Sequence, residues 1–410
     1  MKLQINMKFL NILFFGCILL YTFSQEKYIF ATLKSNMKYY LVAGEASGDL
    51  LGSYLMKSIK KMDTNADFRC WGGDLMEAQG GEIIKHYKEL AFMGFWEVAT
   101  HLRTILKNIA ICKIDILLYE PDVLVLIDYP GFNMRIAQFA KEKNIRVVYY
   151  VSPQIWAWKK NRVHKIKRDV DTLMTILPFE KDFYAKYNYE AHYVGHPLLD
   201  VISDEMKNDD WQTFKTAYNL DDRPVIAVLP GSRRQELKKM LPVMVQMAAQ
   251  FPEYQFVMSK VKWQPLALYQ SYIKNKPVAL VEGNTYSLLH HAKAAIVTSG
   301  TATLETALWN VPQVVCYKTS FISYLIARVL VGKRISHISL VNLILNKPVV
   351  TELLQSACNP KKLKEELLKI VNDSNIIDTM KDNYKQLRHI LGDAGASDNA
   401  AKLIVKDEIR

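Results

Sequence analysis

The chain has 410 residues, 50% hydrophobic and 23% charged, with 17 Gly and 14 Pro. This excludes collagen-like, low-complexity and intrinsically disordered proteins and leaves room for two or three domains with cores of their own. The longest near-apolar stretch, 12–21, is ten residues, against the roughly 20 needed to cross a bilayer, so a polytopic membrane protein is excluded. Five scattered cysteines (17, 70, 112, 316, 358) without a CxxC argue against a disulfide framework or a zinc site and for a reducing compartment, and a net charge of +12 favours an anionic partner: nucleic acid, a phosphorylated substrate or a membrane face.

Residues 1–36 read differently from the rest. Lys2 and Lys8 precede the apolar run, and Thr22-Phe23-Ser24 resembles the end of a secretory signal peptide. The expectation is an over-extended start or dispensable leader, with Met37 the functional start; a targeting or anchoring segment is the alternative. Without the leader's four lysines and one glutamate the body is still basic, at +9.

From Met37 onward, short apolar runs alternate with amphipathic segments. Strands are predicted at 39–43, 122–127, 146–151, 171–177, 191–194, 224–229, 255–258, 278–281, 294–298 and 313–317, and helices at segments such as 50–61, 133–143 and 235–250. This alternation predicts an α/β protein with parallel sheets and crossover helices. The break falls after Gly195-His196-Pro197, where the polar stretch 200–223 precedes a fresh strand. The expected organisation is two doubly wound Rossmann-like domains, 37–199 and 200–370, with a helical tail at 371–410. Ligands in such sheets sit beyond the carboxyl ends of the strands, so two facing domains enclose a cleft.

Four turns carry candidate chemistry. Gly44-Glu45-Ala46-Ser47-Gly48-Asp49 follows the first strand and opens a helix, either as an anion-binding turn or as a turn capped by Ser47 or Asp49. Asp128 closes the apolar strand 122–127, placed as a general base or substrate ligand, or else as a turn aspartate. Gly231-Ser232-Arg233-Arg234 sets two cations at a helix N-terminus, where they oppose the macrodipole unless an anion binds; a solvated helix start is the alternative, and it is not a Walker loop. Ser299-Gly300-Thr301 suits a diphosphate and Glu305, one turn on, suits a ribose diol; N-capping is the alternative.

Three further features are less specific. Trp156 and Trp158 lead into Lys159, Lys160, Arg162 and Lys165, which fits nucleic acid, a phosphorylated substrate, a membrane surface or a solvated helix. Asp169-Val170-Asp171 imitates a metal-binding DxD but opens an apolar strand and reads as coincidence. Leu90 to Val98, with Met93, Phe95 and Trp96, is either core or an exposed face for lipid chains.

Together these motifs resemble the lipid-A-disaccharide synthase family, inverting glycosyltransferases of the GT-B fold. The stretches are GEASGDLLG (44–52), MGFWEV (93–98), IDYPGFN (127–133), SPQIWAWKKNR (152–162), LPFEKDFY (177–184), VGHPLLD (194–200), LPGSRRQE (229–236), SGTATLE (299–305), YKTS (317–320), ISLVNL (338–343) and ELLQ (352–355). Gly131 stands where many members carry a second aspartate, and Val341 where a proline is usual.

The resemblance implies transfer of diacylglucosamine from UDP-2,3-diacylglucosamine to a lipid X-type acceptor, 2,3-diacylglucosamine 1-phosphate. It implies Asp128 as base, and Arg233, Gly231, Ser232, Ser299, Gly300 and Thr301 around the diphosphate. Glu305 would hold the ribose, with Asn342 and Gln355 on the donor side by motif match. Glu45, Ser47, Gly48 and Arg162 fall on the cleft and acceptor side; Met93, Phe95 and Trp96 would meet acyl chains or membrane. No cofactor, metal or nucleic acid is implied. The expected place is the cytoplasm, peripherally on the inner membrane, with self-association open. The rival readings are another UDP-N-acetylglucosamine enzyme of the same fold and a non-catalytic lipid- or nucleotide-binding protein.

Overall fold

The computed structural model describes residues 36–90, 102–158, 160–205, 210–319 and 337–406. Its first sheet is built from β1 (Lys38–Ala43), β2 (Asp67–Gly72), β3 (Glu82–His86), β4 (Val123–Ile127), β5 (Arg146–Tyr150), β6 (Thr172–Thr175) and β7 (His192–Tyr193). All run parallel, in the order β3-β2-β1-β4-β5-β6-β7. The second sheet holds β8 (Val225–Leu229), β9 (Gln255–Lys260), β10 (Val278–Glu282), β11 (Ala292–Thr298), β12 (Gln313–Tyr317) and β13 (Thr351–Leu354). It too is parallel, in the order β10-β9-β8-β11-β12-β13.

The central strands are near-continuous apolar runs because helices cover both faces. In β1 and β4 the two-residue period divides the side chains: Tyr40, Val42, Leu124 and Leu126 enter one core, while Tyr39, Leu41, Val123 and Val125 enter the other. The order reverses between β1 and β4 in the first sheet and between β8 and β11 in the second. These two switch points are where an open α/β sheet leaves room for a ligand.

Residues 371–406, expected as one helical tail, are helical but divide between the two cores. The helix Pro360–Asn372 and the helix Ser374–Leu391 pack Leu363, Leu367, Tyr384 and Leu387 into the second core. The helix Ala396–Lys406 returns to the first, where Ala400, Ala401 and Ile404 lie beneath β1 and β4 and against the helix Ala46–Lys60. Arg146 donates to the carbonyls of Ile404 and Leu403 at 2.6 and 2.9 Å. Asp200 receives the amides of Ala396 at 3.2 Å and Ser397 at 2.8 Å. The chain therefore crosses between domains twice, near 195–200 and near 391–396.

Candidate functional site

All four candidate turns lie at the two switch points. Glu45 follows β1 and Asp128 follows β4; the 231–233 turn follows β8 and the 299–301 turn follows β11. The two domains meet there: Arg233 Nη2 stands 3.6 Å from Glu45 Oε2, and the rings of Tyr87 and Trp263 meet edge-on at 6.2 Å. Both ion-pair partners remain partly exposed, so the contact is worth at most about 1 kcal/mol and is readily given up.

Asp128 is held in an unusual backbone. Of the eleven non-glycine residues with positive φ among the described residues, six are asparagines; of the other five, Asp128 and Tyr129 after β4, Val151 after β5 and Gln355 after β13 all sit at carboxyl ends of strands. Left-handed conformations in such residues cost free energy and persist where surrounding structure imposes them. Asp128 is solvent-exposed at the end of β4, next to the interdomain contact. Desolvation pushes its carboxyl up to about 7; the Glu45 charge adds to this, and the Tyr129 amide and Arg233 partly oppose it. Burial also raises the Glu45 carboxyl, against the charge and hydrogen bond of Arg233. A carboxylate titrating near neutrality beside that contact suits a general base.

The first turn of the helix Ala46–Lys60 has no side-chain cap from Glu45. Neither Ser47 nor Asp49 caps it, contrary to one of the sequence readings. Asp49 is buried and instead accepts the amides of Gly73, Leu75 and Met76 at 2.8, 3.1 and 3.1 Å, which braces the neighbouring segment.

In the second domain the 231–233 turn is already filled. Glu236 accepts the amides of Ser232 and Arg233, each at 3.3 Å, and lies 3.4 Å from the Arg233 guanidinium. A carboxylate thus occupies the amides expected to meet a phosphate. Gly231 has φ +102°, and a Cβ there would fall 2.7 Å from Glu236 Oε2, so only glycine fits. The Ser232 carbonyl accepts from Trp263 Nε1 at 3.3 Å and Gln264 Nε2 at 3.2 Å.

Two expected donor contacts are committed elsewhere. The Ser299 amide donates to the Cys316 carbonyl and its hydroxyl to the Ile338 carbonyl, both at 3.0 Å, so neither proton remains for a diphosphate. Gly300 and Thr301 are exposed, and the helix Thr301–Leu308 begins without a side-chain cap. Asn342 is buried: its Nδ2 donates to the Val350 carbonyl and to Glu352, and its Oδ1 accepts the amides of Val349 and Val350, all at 2.8–2.9 Å. Its hydrogen-bonding capacity is thereby complete, and it pins a loop rather than presenting to the cleft.

Gln355 is different. Its Oε1 accepts the Thr319 amide at 3.4 Å, and its buried Nε2 has no partner among the described residues. Glu305 is half-buried, and burial pushes its carboxyl up to about 7 against a hydrogen bond from Tyr286. Arg162 is partly buried beside the helix Val163–Asp169. Asp169 pairs with Arg168 at 2.6 Å and Asp171 pairs with Lys141 while accepting the Val147 amide. The DxD is therefore structural, at the amino end of β6. Among the described residues no three His, Cys, Asp or Glu side chains converge as a metal site. Met93, Phe95 and Trp96 lie outside the described residues.

Sequence reasoning missed Glu236, Trp263, Asn133 and Tyr149. Only Glu236 had a spacing signal, a carboxylate three residues after the cap position.

Two facing doubly wound domains with their switch points opposed define the GT-B fold. Solved structures share it: the S. aureus MnaA–UDP co-structure aligns with TM-score 0.66 at 11% identity, covering 91% of this chain and 97% of that one. The UDP-GlcNAc 2-epimerase from Neisseria meningitidis bound to UDP-GlcNAc aligns with TM-score 0.63 at 13% identity, covering 91% and 100%. At that identity the likeness is one of fold. The sequence is more specific. Residues 39–405 match the family model described as lipid-A-disaccharide synthetase. The lipid-A-disaccharide synthase of Syntrophus aciditrophicus (strain SB) is 38% identical over 374 residues, 88% of this chain and 95% of its own length. That of Coxiella burnetii (strain CbuG_Q212) is 37% identical over 380 residues, 90% and 98%. The chain belongs to the lipid-A-disaccharide synthase family and is a glycosyltransferase of lipid A biosynthesis.

Proposed function

We propose that this chain transfers 2,3-diacylglucosamine from UDP to the 6-hydroxyl of 2,3-diacylglucosamine 1-phosphate, releasing UDP and the β-1,6 disaccharide 1-phosphate. The observation that carries this is the opposition of the two switch points, with Asp128 and Glu45 on one side and Arg233 on the other. Asp128 takes the proton of the acceptor hydroxyl as its oxygen attacks the anomeric carbon. The bond to UDP breaks with its electron pair leaving on the phosphate, so one displacement inverts the centre.

Arg233 and the open amides of Gly300 and Thr301 meet the charge that develops on the leaving diphosphate. The incoming phosphate takes the Ser232 and Arg233 amides from Glu236. Glu305 holds the ribose, and the spare N–H of Gln355 is a further donor on this side.

The enzyme works at the cytoplasmic face of the inner membrane. No helix among the described residues is long and apolar enough to cross a membrane. The helix Leu102–Tyr119, however, exposes Leu102, Leu106, Ile114, Leu117 and Leu118 on its outer side, beside exposed Arg103 and Lys107. An exposed apolar face edged with cations suits an anionic lipid surface.

The test is to incubate the purified chain with UDP-diacylglucosamine and the monosaccharide 1-phosphate and to look for disaccharide by mass. Turnover of non-acylated UDP-N-acetylglucosamine without disaccharide formation would favour the rival UDP-sugar reading, and no turnover of either would favour a binding protein.

A further inference from the structure

The strained turn that carries Asp128 is held by two side chains to which neither the motifs nor the mechanism above gives a task. Tyr149, on β5, donates its hydroxyl to the Asp128 carbonyl at 2.6 Å. Asn133, in the first turns of the helix Pro130–Glu142, donates Nδ2 to the same carbonyl at 2.8 Å. Both residues are fully buried. They approach from different elements, so the carbonyl is fixed from two directions. The peptide unit it belongs to joins Asp128, at φ +45°, to Tyr129, at φ +48°.

The arrangement is costly where it need not be for folding alone. Two consecutive left-handed residues that are not glycine cost roughly 1–2 kcal/mol each. Asn133 also leaves its buried Oδ1 without a partner among the described residues, a further expense of about 1–3 kcal/mol. Its amide is turned so that Nδ2 faces three carbonyls, those of Asp128, Val42 and Ile127, the latter two at 3.3 Å. Those are the last turns of chain at the β1/β4 switch point. The conformation leaves the Asp128 carboxylate within reach of the charges of Glu45 and Arg233. Gly44 makes room for it: a Cβ there would stand 2.4 Å from the Tyr129 ring.

We propose that Tyr149 and Asn133 are positioning residues, a clamp on the Asp128 carbonyl that keeps the strained turn and so aims the carboxylate at the acceptor hydroxyl. This rests on the reading of Asp128 as the base. Without either donor the 128–129 peptide relaxes toward ordinary backbone, and the carboxylate moves off line while the substrate sites stay intact. A misplacement of about 1 Å costs on the order of a hundredfold in rate.

The test uses the full chain with Tyr149→Phe, Asn133→Ala, Asp128→Asn and the double variant Asp128→Asn/Tyr149→Phe. Steady-state and single-turnover rates are measured, with UDP affinity and thermal midpoint as controls. Tyr149→Phe removes one oxygen and keeps the buried ring, so it decides the matter if Asn133→Ala fails to fold. The expected result is a kcat lower by about 10- to 100-fold, with KM for both substrates and UDP affinity within about threefold. In the Asp128→Asn background, Tyr149→Phe is expected to lower the rate by no more than about threefold, because a clamp has nothing left to aim.

The clamp is overturned if Tyr149→Phe keeps kcat within threefold of wild type, or if it costs the same factor with and without Asp128. An Asp128→Asn variant of near wild-type rate removes the base and the clamp together, a result distinct from loss of the clamp alone.

Discussion

Asp128→Asn tests the assignment of the base through two independent readouts. The carboxyl of Asp128 is pushed up to about 7 by desolvation and then by Glu45, so at pH 5.5 only about 3% of it is ionised and kcat/KM should lie roughly thirtyfold below its plateau. An aspartate at its ordinary value of about 3.9 would leave that range flat. Replacement by asparagine should cut kcat by about 10²–10⁴ and abolish the acid limb. Glu45→Gln should move the limb to lower pH, since it removes a raising charge and frees Arg233 to act on Asp128. Glu305 also titrates near 7, so Glu305→Gln serves as the control and should retain the limb in kcat. Stability gives the second readout. A carboxyl raised on folding destabilises the native state once ionised, a cost absent below about pH 4 and fully present above about 7. Asp128→Asn should therefore raise the thermal midpoint at pH 8 and leave it unchanged near pH 3. The assay is disaccharide formation by mass, with UDP binding measured alongside. A flat profile between pH 5.5 and 8, or a variant within threefold of wild type, refutes the reasoning.

Three other outcomes follow from the same geometry. If Arg233 and backbone amides carry the leaving-group charge as proposed, activity should survive EDTA; loss on chelation with rescue by Mg²⁺ or Mn²⁺ would overturn that role. Gly231→Ala forces a side chain into a left-handed position against Glu236 and should destabilise by at least about 1 kcal/mol while weakening UDP binding, measured by calorimetry; an unchanged midpoint and affinity would contradict it. Ile114→Ser with Leu118→Ser should weaken binding to anionic vesicles at least about tenfold at roughly 1.5–3 kcal/mol per buried side chain, without changing turnover of detergent-dispersed substrates; binding that is unchanged and merely salt-sensitive would place the contact on cations alone.

The strands that were legible in the sequence are those that stand out as short apolar runs, the half-buried edge strands β7 and β10 among them. β4, β5, β8 and β12 are almost wholly apolar and rich in Val, and their length and flanking turns rather than a period locate them. β2, β3 and β13 were not predicted, for separate physical reasons. β2 carries Arg69 within the strand; its guanidinium reaches Asp115 at 2.7 Å, and the same carboxylate accepts the Tyr40 hydroxyl at 2.7 Å. A charge neutralised by a partner 46 residues away reads as a loop until the partner is known. β3 and β13 are half-buried edge strands like β7 and β10, but each carries a charge inside the strand, Lys85 and Glu352, which breaks the apolar run.

The site was legible at the level of turns, because strand–turn–helix junctions with small residues are local features. Which polar atoms remain free was not legible. Asn342 and Ser299 look like ligand contacts in a motif, and only the loop at 349–350 and the carbonyl of Ile338 reveal them as occupied. Conversely, Tyr149 sits in an apolar strand and looks like core until its hydroxyl is seen to meet the Asp128 carbonyl.

The return of the last helix to the first domain makes synthesis and folding run out of step. The core beneath β1 and β4 lacks Ala400, Ala401 and Ile404 until nearly the whole chain has left the ribosome. At about 5–20 residues per second, the roughly 200 residues between the two crossings take on the order of 10–40 s to make. For that interval the first sheet exists with one side of its helix Ala46–Lys60 uncovered. Arg146 waits for the carbonyls of Leu403 and Ile404, and Asp200 for the amides of 395–397. The second domain, whose core closes with Leu391, is finished before the first one is. The part of the molecule translated first is the last to be sealed, and a nascent chain stalled short of residue 396 would carry a complete second domain tethered to an open first one.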